Sequence, residues 1–420
     1  MARFVFCPYG SAGDINPFVA LAVVLRHRGH DVLFAVEGTF RSMLTTVGFD
    51  VHVLPGDSAT MLAPYVREIT SGADPTTAIK LLVDKRLLPT LRTTVTSLLE
   101  ACAGADMLVN TVLQFAASFV ADITGIRWAS VALTPLNVPA ASIESYALPA
   151  WLPNALRPLA NRGIWAVGRS IYRKLADAPI NEIRAEYGLP ARRDLLFTGN
   201  LSSQLTSVAV SPTFMPPARE WPSSVRMTGF CFWDTPGNWT EPAELTDFLN
   251  TPQPVVAVSS GSSAAMAVDV FTSFYQTSID AILHNGGHAL IIGAAPDSLP
   301  EPLPGNVLAV PFAPFSYVYP RCATVIHHGG IGTTAQALRA GVPMLIVPWG
   351  ADQFFTGAQI ARISAGRTVL RSDYTPLHAH AAIQALLHDT TYHQHAQAIS
   401  ARLMLEDGAT ALADALESLL

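Results

Sequence analysis

The chain carries the glycine-rich motif His327-His328-Gly329-Gly330-Ile331-Gly332-Thr333-Thr334, which follows the short apolar run Thr324–Ile326. It precedes a predicted helix, Ala335–Ala340, that the following glycine would end. Glycines at a strand-to-helix turn let backbone N–H groups approach an anion closely, and the helix N-terminus adds partial positive charge. The ring N–H of His328 and the hydroxyl of Thr333 would complete the site. The motif therefore predicts a pyrophosphate site that needs no metal, although the same residues also suit a helix cap with a satisfied histidine.

Outward from this motif, short apolar runs alternate with helical patterns along the chain, and this alternation predicts parallel α/β sheets. The ten candidate strands are Phe4–Cys7, Val32–Val36, Val51–Leu54, Met107–Val109, Ala129–Ala132, Val255–Val258, Ala289–Ile292, Val307–Val310, Thr324–His327 and Met344–Val347. A stretch dense in proline separates the two sets and is typical of a linker. We therefore expect an N-terminal Rossmann-like domain over 1–215, a linker region over 216–254, a C-terminal Rossmann-like domain over 255–395, and a C-terminal helix over 396–420.

The composition excludes several classes of protein. Of the 420 residues, 50% are hydrophobic and 14% are charged, so the chain can bury large cores and is not disordered. A net charge of −6 gives no reason to expect nucleic acid. No signal peptide and no apolar run of the ~18 residues that a membrane span needs is visible. Scattered cysteines without metal-ligand spacing suggest free thiols in the cytoplasm. They are Cys7, Cys102, Cys231 and Cys322.

Two further loops of the C-terminal half follow apolar runs. Ser259-Ser260-Gly261-Ser262-Ser263 follows Val255–Val258, and it would close the phosphate site from the side or serve only as an N-cap. Pro348-Trp349-Gly350-Ala351-Asp352-Gln353 follows Met344–Val347. Its carboxylate and carboxamide offer acceptors and donors for sugar hydroxyls, although such a pair is often only solvated.

The N-terminal half contributes Tyr9-Gly10-Ser11-Ala12-Gly13-Asp14-Ile15-Asn16-Pro17 between the first strand and a helix. Glu37, at the end of the second strand, stands where a ribose-binding acid of a dinucleotide site would be. The third glycine of that fingerprint and its spacing are missing, however, which argues against NAD. Asp14 is of interest because ligands bind at the carboxyl edge of such sheets, although it also suits a helix N-cap.

In this order, the motifs resemble those of nucleotide-sugar-dependent glycosyltransferases of the two-Rossmann GT-B architecture. The likeness is strongest to the bacterial antibiotic, rhamnolipid-type and sterol branch of the UDP-glycosyltransferase family. It spans nearly the whole chain and is dense in Phe4–Leu25 and Pro311–Ile360. The resemblance implies an α/β fold of two Rossmann-like domains facing across a cleft, with the last helix returning to the N-terminal domain.

The resemblance also implies roles for individual residues. Asp14 occupies the position of the catalytic base. Asn110 stands where plant members have an Asp that pairs with a catalytic His, Gln336 where a Glu often touches the ribose, and Gly357 where an Asn is common. The donor would be a UDP- or dTDP-hexose, with no cofactor. Its implied contacts, for phosphates, base and sugar, are His328, Gly329, Gly330, Gly332, Thr333, Ser262, Phe312, Asp352 and Gln353.

The expected reaction is an inverting, metal-independent transfer onto a hydroxyl of a small hydrophobic acceptor, such as a natural product, a lipid or a sterol-like molecule. Apolar and aromatic residues between Pro135 and Tyr172, with Trp151 and Trp165 among them, favour such a pocket. We take Asn110 and these two tryptophans as acceptor-binding residues. The same stretch could instead pack a helical hairpin or contact a membrane peripherally. A nucleotide-sugar epimerase and a non-catalytic activator protein of the same architecture remain alternatives.

Overall fold

The computed structural model describes residues 1–57, 60–61, 63–65, 75–145, 148, 151–153, 155–235, 239–261, 268–350 and 352–420. These residues form two compact units. The first unit combines Met1–Trp233 with Asp407–Leu420, and the second unit is Asp234–Glu406.

The first unit is built on a seven-stranded sheet in which every neighbouring pair is parallel. The order of its strands is β3-β2-β1-β4-β5-β6-β7. The strands are β1 Arg3–Cys7, β2 Asp31–Glu37, β3 Asp50–Leu54, β4 Met107–Thr111, β5 Arg127–Ala132, β6 Leu205–Val208 and β7 Val225–Met227. The α-helices of this unit are α1 Ala12–His27, α2 Arg41–Thr46, α3 Pro75–Leu81, α4 Leu88–Ala101, α5 Ala116–Thr124, α6 Arg157–Glu186 and, from the end of the chain, α14 Gly408–Glu417.

The second unit contains a six-stranded parallel sheet with the order β10-β9-β8-β11-β12-β13. Its strands are β8 Val255–Ser259, β9 His288–Ile292, β10 Val307–Val310, β11 Thr324–His327, β12 Met344–Ile346 and β13 Gly366–Thr368. Its α-helices are α7 Ala243–Leu249, α8 Val268–His284, α9 Phe315–Val318, α10 Ile331–Ala340, α11 Gln353–Arg362, α12 Pro376–His388 and α13 Thr390–Leu403. The order reverses between β8 and β11, so their carboxyl ends form the switch point where such sheets bind ligands.

Both predicted sheets are confirmed, and all ten predicted strands are present. The apolar runs form central strands because parallel strands are covered on both faces. β1 and β8, for example, are almost entirely buried. The structure adds three strands, β6, β7 and β13, which the apolar pattern did not reveal. They are only three or four residues long, and β7 is partly exposed at the sheet edge.

The ends of the two units differ from the boundaries expected from composition. β7 lies within 216–254, so the first unit extends past residue 215 to Trp233. β7 pairs with β6, and Thr206 N donates to Ser224 O at 2.8 Å where this pairing begins. α13 belongs to the second unit, and the return to the first unit begins at Asp407 rather than at 396. There α14 shares the core of α1.

Candidate functional site

The turn between β11 and α10 is shaped by His327 and Gly329. His327 is fully buried at the end of β11, and its Nδ1 accepts a hydrogen bond from Gly329 N at 3.0 Å. Gly329 has a φ of +95°, and a Cβ there would lie 2.8 Å from Cγ2 of Ile346. Because only glycine combines this φ with this close contact, the turn is fixed by sequence. His327 therefore has a structural role.

The imidazole of His328 packs directly against two glycines. A Cβ on Gly261 would lie 2.7 Å from its Nε2, and a Cβ on Gly330 would clash with the same ring. The side chain is 8% exposed, and its Nδ1 has no hydrogen-bond partner among the described residues. Burial lowers the pKa of His328 to about 4, so the ring is neutral at pH 7. A neutral ring carries one N–H donor and one acceptor, so Nδ1 is a buried polar atom whose hydrogen-bonding capacity no described residue uses.

The N-terminus of α10 adds backbone donors beside this histidine. Its N-cap is Gly330, which has no side chain to cap the helix. Thr334 bonds back to Gly330 O through both its N and its Oγ1, each at 3.0 Å. The preceding N–H groups of Gly332 and Thr333 have no partner within the helix, as at any α-helix start. Together with the helix dipole they make this helix start favourable for an anion.

The serine-rich loop after β8 is described only to Gly261. Ser259 Oγ accepts from Gly261 N at 3.3 Å, and Ser260 Oγ is hydrogen-bonded to the buried hydroxyl of Tyr275. Both serines thus stabilise the loop. Ser262, the predicted phosphate contact, lies outside the described residues, and its role stays a prediction.

The loop after β12 is built around Gln353. Its Oε1 accepts from Trp349 N at 2.7 Å and from Gly350 N at 3.2 Å. The carboxamide oxygen therefore holds the turn. Asp352, at the N-cap of α11, is half-buried. This loop presents a carboxylate and an amide donor side by side.

Trp349 anchors that loop in the core of the second unit. Its indole is 5% exposed and packs against Phe271, with ring centroids 4.3 Å apart. The guanidinium carbon of Arg371 lies 4.1 Å from the centre of the indole. This stack was not predicted, because its members are separated by many residues in the sequence.

Three residues at the remaining predicted donor positions have distinct environments. Phe312, just after β10, is 48% exposed and can stack on a base. Gln336 is buried in α10, and its Oε1 has no partner among the described residues. Gly357 lies where a Cβ would come 2.8 Å from Thr368 Oγ1, so the close approach of α11 to β13 excludes an asparagine there.

Asp14 lies in the first turn of α1, within a capping box. Its Oδ2 accepts from Ser11 N at 2.7 Å and from Ser11 Oγ at 3.0 Å, while Ser11 Oγ accepts from Gly13 N. Its Oδ1 has no bond to a described residue. Burial raises the pKa of Asp14, and the two bonds from Ser11 oppose this shift. The helix-cap interpretation is thus observed, and it uses only one of the two carboxylate oxygens.

A buried arginine beside this turn was missed by the sequence reasoning. The guanidinium carbon of Arg86 lies 4.7 Å from the centre of the Tyr9 ring, and Arg86 also forms an ion pair with Glu37. Arg86 comes from a π-helical segment, Leu82–Leu87, a conformation that often marks functional sites. Glu37 is thus engaged with Arg86, which agrees with the argument against a dinucleotide site.

The predicted acceptor residues lie in different environments. Asn110 in β4 is fully buried, where its Nδ2 donates to Thr111 O at 2.7 Å and its Oδ1 accepts from Ser130 Oγ at 3.4 Å. It offers no surface to an acceptor in this structure. Trp165 donates from Nε1 to Ile143 O at 2.9 Å and so holds the loop before α6. Trp151 is 80% exposed.

Within the described part of the chain, His, Cys, Asp and Glu form no group of three or more that could hold a metal ion. None of the helices described there combines the length and the hydropathy that a bilayer span requires.

The similarity of this sequence to one bacterial glycosyltransferase establishes its family. O-mycaminosyltylonolide 6-deoxyallosyltransferase of Streptomyces fradiae is 30% identical over 383 residues, which cover 87% of this chain and 85% of that protein. The chain belongs to the UDP-glycosyltransferase family. Residues 287–419 of this glycosyltransferase also match the C-terminal domain model of the erythromycin biosynthesis protein CIII-like family.

Two further likenesses fit this glycosyltransferase. A sterol 3-beta-glucosyltransferase of Aspergillus oryzae is 25% identical over 378 residues, which cover 87% of the chain but only 26% of that longer protein. The glycosyltransferase SsfS6 of Streptomyces sp. SF2575, solved with thymidine diphosphate, superposes with a TM-score of 0.68 at 18% identity, over the full length of both chains. The GT-B fold and the glycosyltransferase activity inferred from sequence are thereby confirmed.

Proposed function

We propose that this glycosyltransferase moves a hexose from a nucleotide diphosphate sugar to a hydroxyl of a small apolar acceptor, with inversion at the anomeric carbon. The observation that carries the proposal is the neutral, buried His328 with an unpartnered nitrogen beside the N-terminus of α10. The thymidine diphosphate bound by SsfS6 supports a nucleotide donor. UDP- and dTDP-sugars are both candidates, because their bases stack alike and differ by one methyl group.

In the proposed donor complex, each group serves one part of the ligand. His328, Thr333 and the backbone of Gly329, Gly330 and Gly332 hold the diphosphate, whose charge grows as the sugar leaves. Donors fixed in advance at that position stabilise the transition state more than the ground state. Phe312 stacks on the base. Asp352 and the Nε2 of Gln353 bind sugar hydroxyls.

Asp14 is proposed as the general base. The acceptor oxygen attacks the anomeric carbon, the bond from that carbon to the diphosphate oxygen breaks, and the acceptor proton passes to Asp14 Oδ1. A single displacement of this kind inverts the anomeric configuration. The raised pKa of Asp14 strengthens it as a base, while the Ser11 bonds to Oδ2 keep it oriented.

Substituting Ser11→Ala is expected to move the acid limb of the kcat–pH profile to higher pH. The Ser11 hydroxyl stabilises the ionised carboxylate, so its loss raises the pKa of Asp14 further. The base is then protonated, and activity lost, at a higher pH than in the wild type. The profile should be measured with saturating substrates, with Ser170→Ala on an exposed helix position as control. An unmoved acid limb, or one moved to lower pH, would show that Asp14 does not set it.

We also propose that transfer needs no divalent metal, because backbone donors and the helix dipole already provide positive potential for the leaving diphosphate. Turnover is expected to be unchanged in excess EDTA. The measurement compares initial rates after chelation with rates after adding back Mg²⁺ or Mn²⁺. Loss of activity in EDTA with recovery on adding metal would contradict this part of the proposal.

The acceptor is proposed to be an apolar or aromatic alcohol. The relatives named for a tylonolide and a sterol support this class, as does the exposed indole of Trp151. In a panel of flavonoids, macrolides, sterols, hydroxy fatty acids and oligosaccharides, we expect transfer to the first four classes to dominate. Trp151→Ala should raise the acceptor KM, while Trp221→Ala, whose indole Nε1 donates to Val138 O at 2.8 Å, provides a tryptophan control. Transfer to oligosaccharides alone would exclude the proposed acceptor class.

A further inference from the structure

The outward side of α6 carries an uncovered apolar stripe. Its members recur three or four residues apart, so they share one face of the helix and span roughly 22 Å at about 1.5 Å per residue. Leu156, just before the helix, is 52% exposed, Leu159 72%, Val167 61% and Ile171 38%. We call these four residues, with Gly163 between them, the outer face of α6. Ile164 borders this face and is less exposed, whereas helical periodicity places Trp165 and Tyr172 on the other side of the helix.

Positive charge borders this face. Residues 155–176 contain five basic side chains and no Asp or Glu. Arg157 forms an ion pair with Glu144, and Arg169 and Arg173 both pair with Asp194. Arg162 lies close enough to Glu220 for their charges to attract each other. Five cations thus outnumber the three carboxylates that approach them. Arg162 and Lys174 are exposed, and helical periodicity places Arg162, Arg169 and Arg173 along one flank of the outer face.

We propose that the outer face of α6 docks on an anionic phospholipid surface, with the helix axis in the plane of the membrane interface. An apolar stripe edged by cations is the pattern of helices that bind anionic membranes. Exposed basic side chains near such a surface, here Arg162 and Lys174, add electrostatic attraction to it. A second copy of the chain fits less well, because a self-complementary contact would bring the same cationic flanks together.

Vesicle flotation tests this docking and needs no turnover, so its result is independent of the proposed reaction. The wild type is mixed with vesicles of phosphatidylcholine alone or with added phosphatidylglycerol. One variant pairs Leu159→Gln with Val167→Gln, and another pairs Arg162→Gln with Lys174→Gln. The control pairs Leu377→Gln with Leu405→Gln, which are 74% and 89% exposed in the second unit. Circular dichroism checks that each variant is folded.

We expect the wild type and the control to float only with anionic vesicles, and less at high salt. Each variant of the outer face should bind those vesicles about tenfold more weakly or worse, because it loses apolar burial or charge attraction. Absence of flotation, equal binding to neutral vesicles, or unchanged binding by both variants would overturn the proposal. Self-association of the wild type that Leu159→Gln with Val167→Gln abolishes, without flotation, would instead make this face a contact between copies.

Discussion

Asp14→Asn is expected to lower kcat by about 10²–10⁴ while the donor still binds with wild-type affinity, since that is the usual contribution of a general base. The asparagine can still accept the two bonds from Ser11, so the helix start is preserved. What it loses is the capacity to take the acceptor proton. Steady-state kinetics with saturating donor and acceptor gives kcat, and calorimetry with the nucleotide diphosphate gives the affinity.

The matched control is Asp31→Asn, a carboxylate of the same unit, at the start of β2, whose side chain is 56% exposed. It is expected to keep wild-type turnover. If Asp14→Asn turns over as fast as the wild type, Asp14 is only a helix cap. If it also loses nucleotide affinity, the defect lies in folding or donor binding and the assignment of the base falls.

His328→Ala is expected to weaken nucleotide diphosphate binding and to lower kcat/KM together, by roughly 10- to 100-fold. A hydrogen bond to a charged group contributes about 1.5–3 kcal/mol, and each 1.4 kcal/mol corresponds to a factor of ten. Both parameters fall because the diphosphate is held in the ground state and in the transition state. Calorimetry measures the affinity, and initial rates measure kcat/KM. Wild-type affinity in this variant would show that His328 does not contact the nucleotide diphosphate.

A second substitution probes the position of the ring without removing it. A Cβ at Gly330 would collide with His328, so Gly330→Ala should displace the ring and mimic much of the His328→Ala defect. Gly305→Ala is the matched control, because nothing lies within 4 Å of its Cβ. Equal donor affinity in both glycine variants would show that the position of the His328 imidazole does not affect donor binding.

The sequence predicted most of the fold because the central strands are buried on both faces and read as apolar runs. β7 and β13 could not be predicted from apolar runs, since each has only three residues with an arginine at its centre. The turn between β11 and α10 was also predictable, because its glycines follow one another directly between an apolar run and a helical pattern. That local pattern needs no tertiary information.

Contacts between distant residues could not be predicted in this way. Arg86 and Glu37 are 49 positions apart, and only the folded sheet brings them beside Tyr9. The use of the Gln353 carboxamide oxygen by its own loop was equally hidden, because a residue type does not reveal which of its atoms is already bonded. The burial of Asn110 likewise depends on β5 and its Ser130.

Acceptor-dependent transfer from a radiolabelled donor is the direct test of the proposed sugar transfer with inversion. The purified protein is incubated with a UDP- or dTDP-hexose and an apolar alcohol from the panel, and product, released nucleotide diphosphate and anomeric configuration are measured. We predict a glycoside of inverted configuration, formed in equal amount to the nucleotide diphosphate and absent with Asp14→Asn. Donor binding without an acceptor-dependent product, or conversion of the donor sugar to an epimer in the absence of any acceptor, would contradict the account.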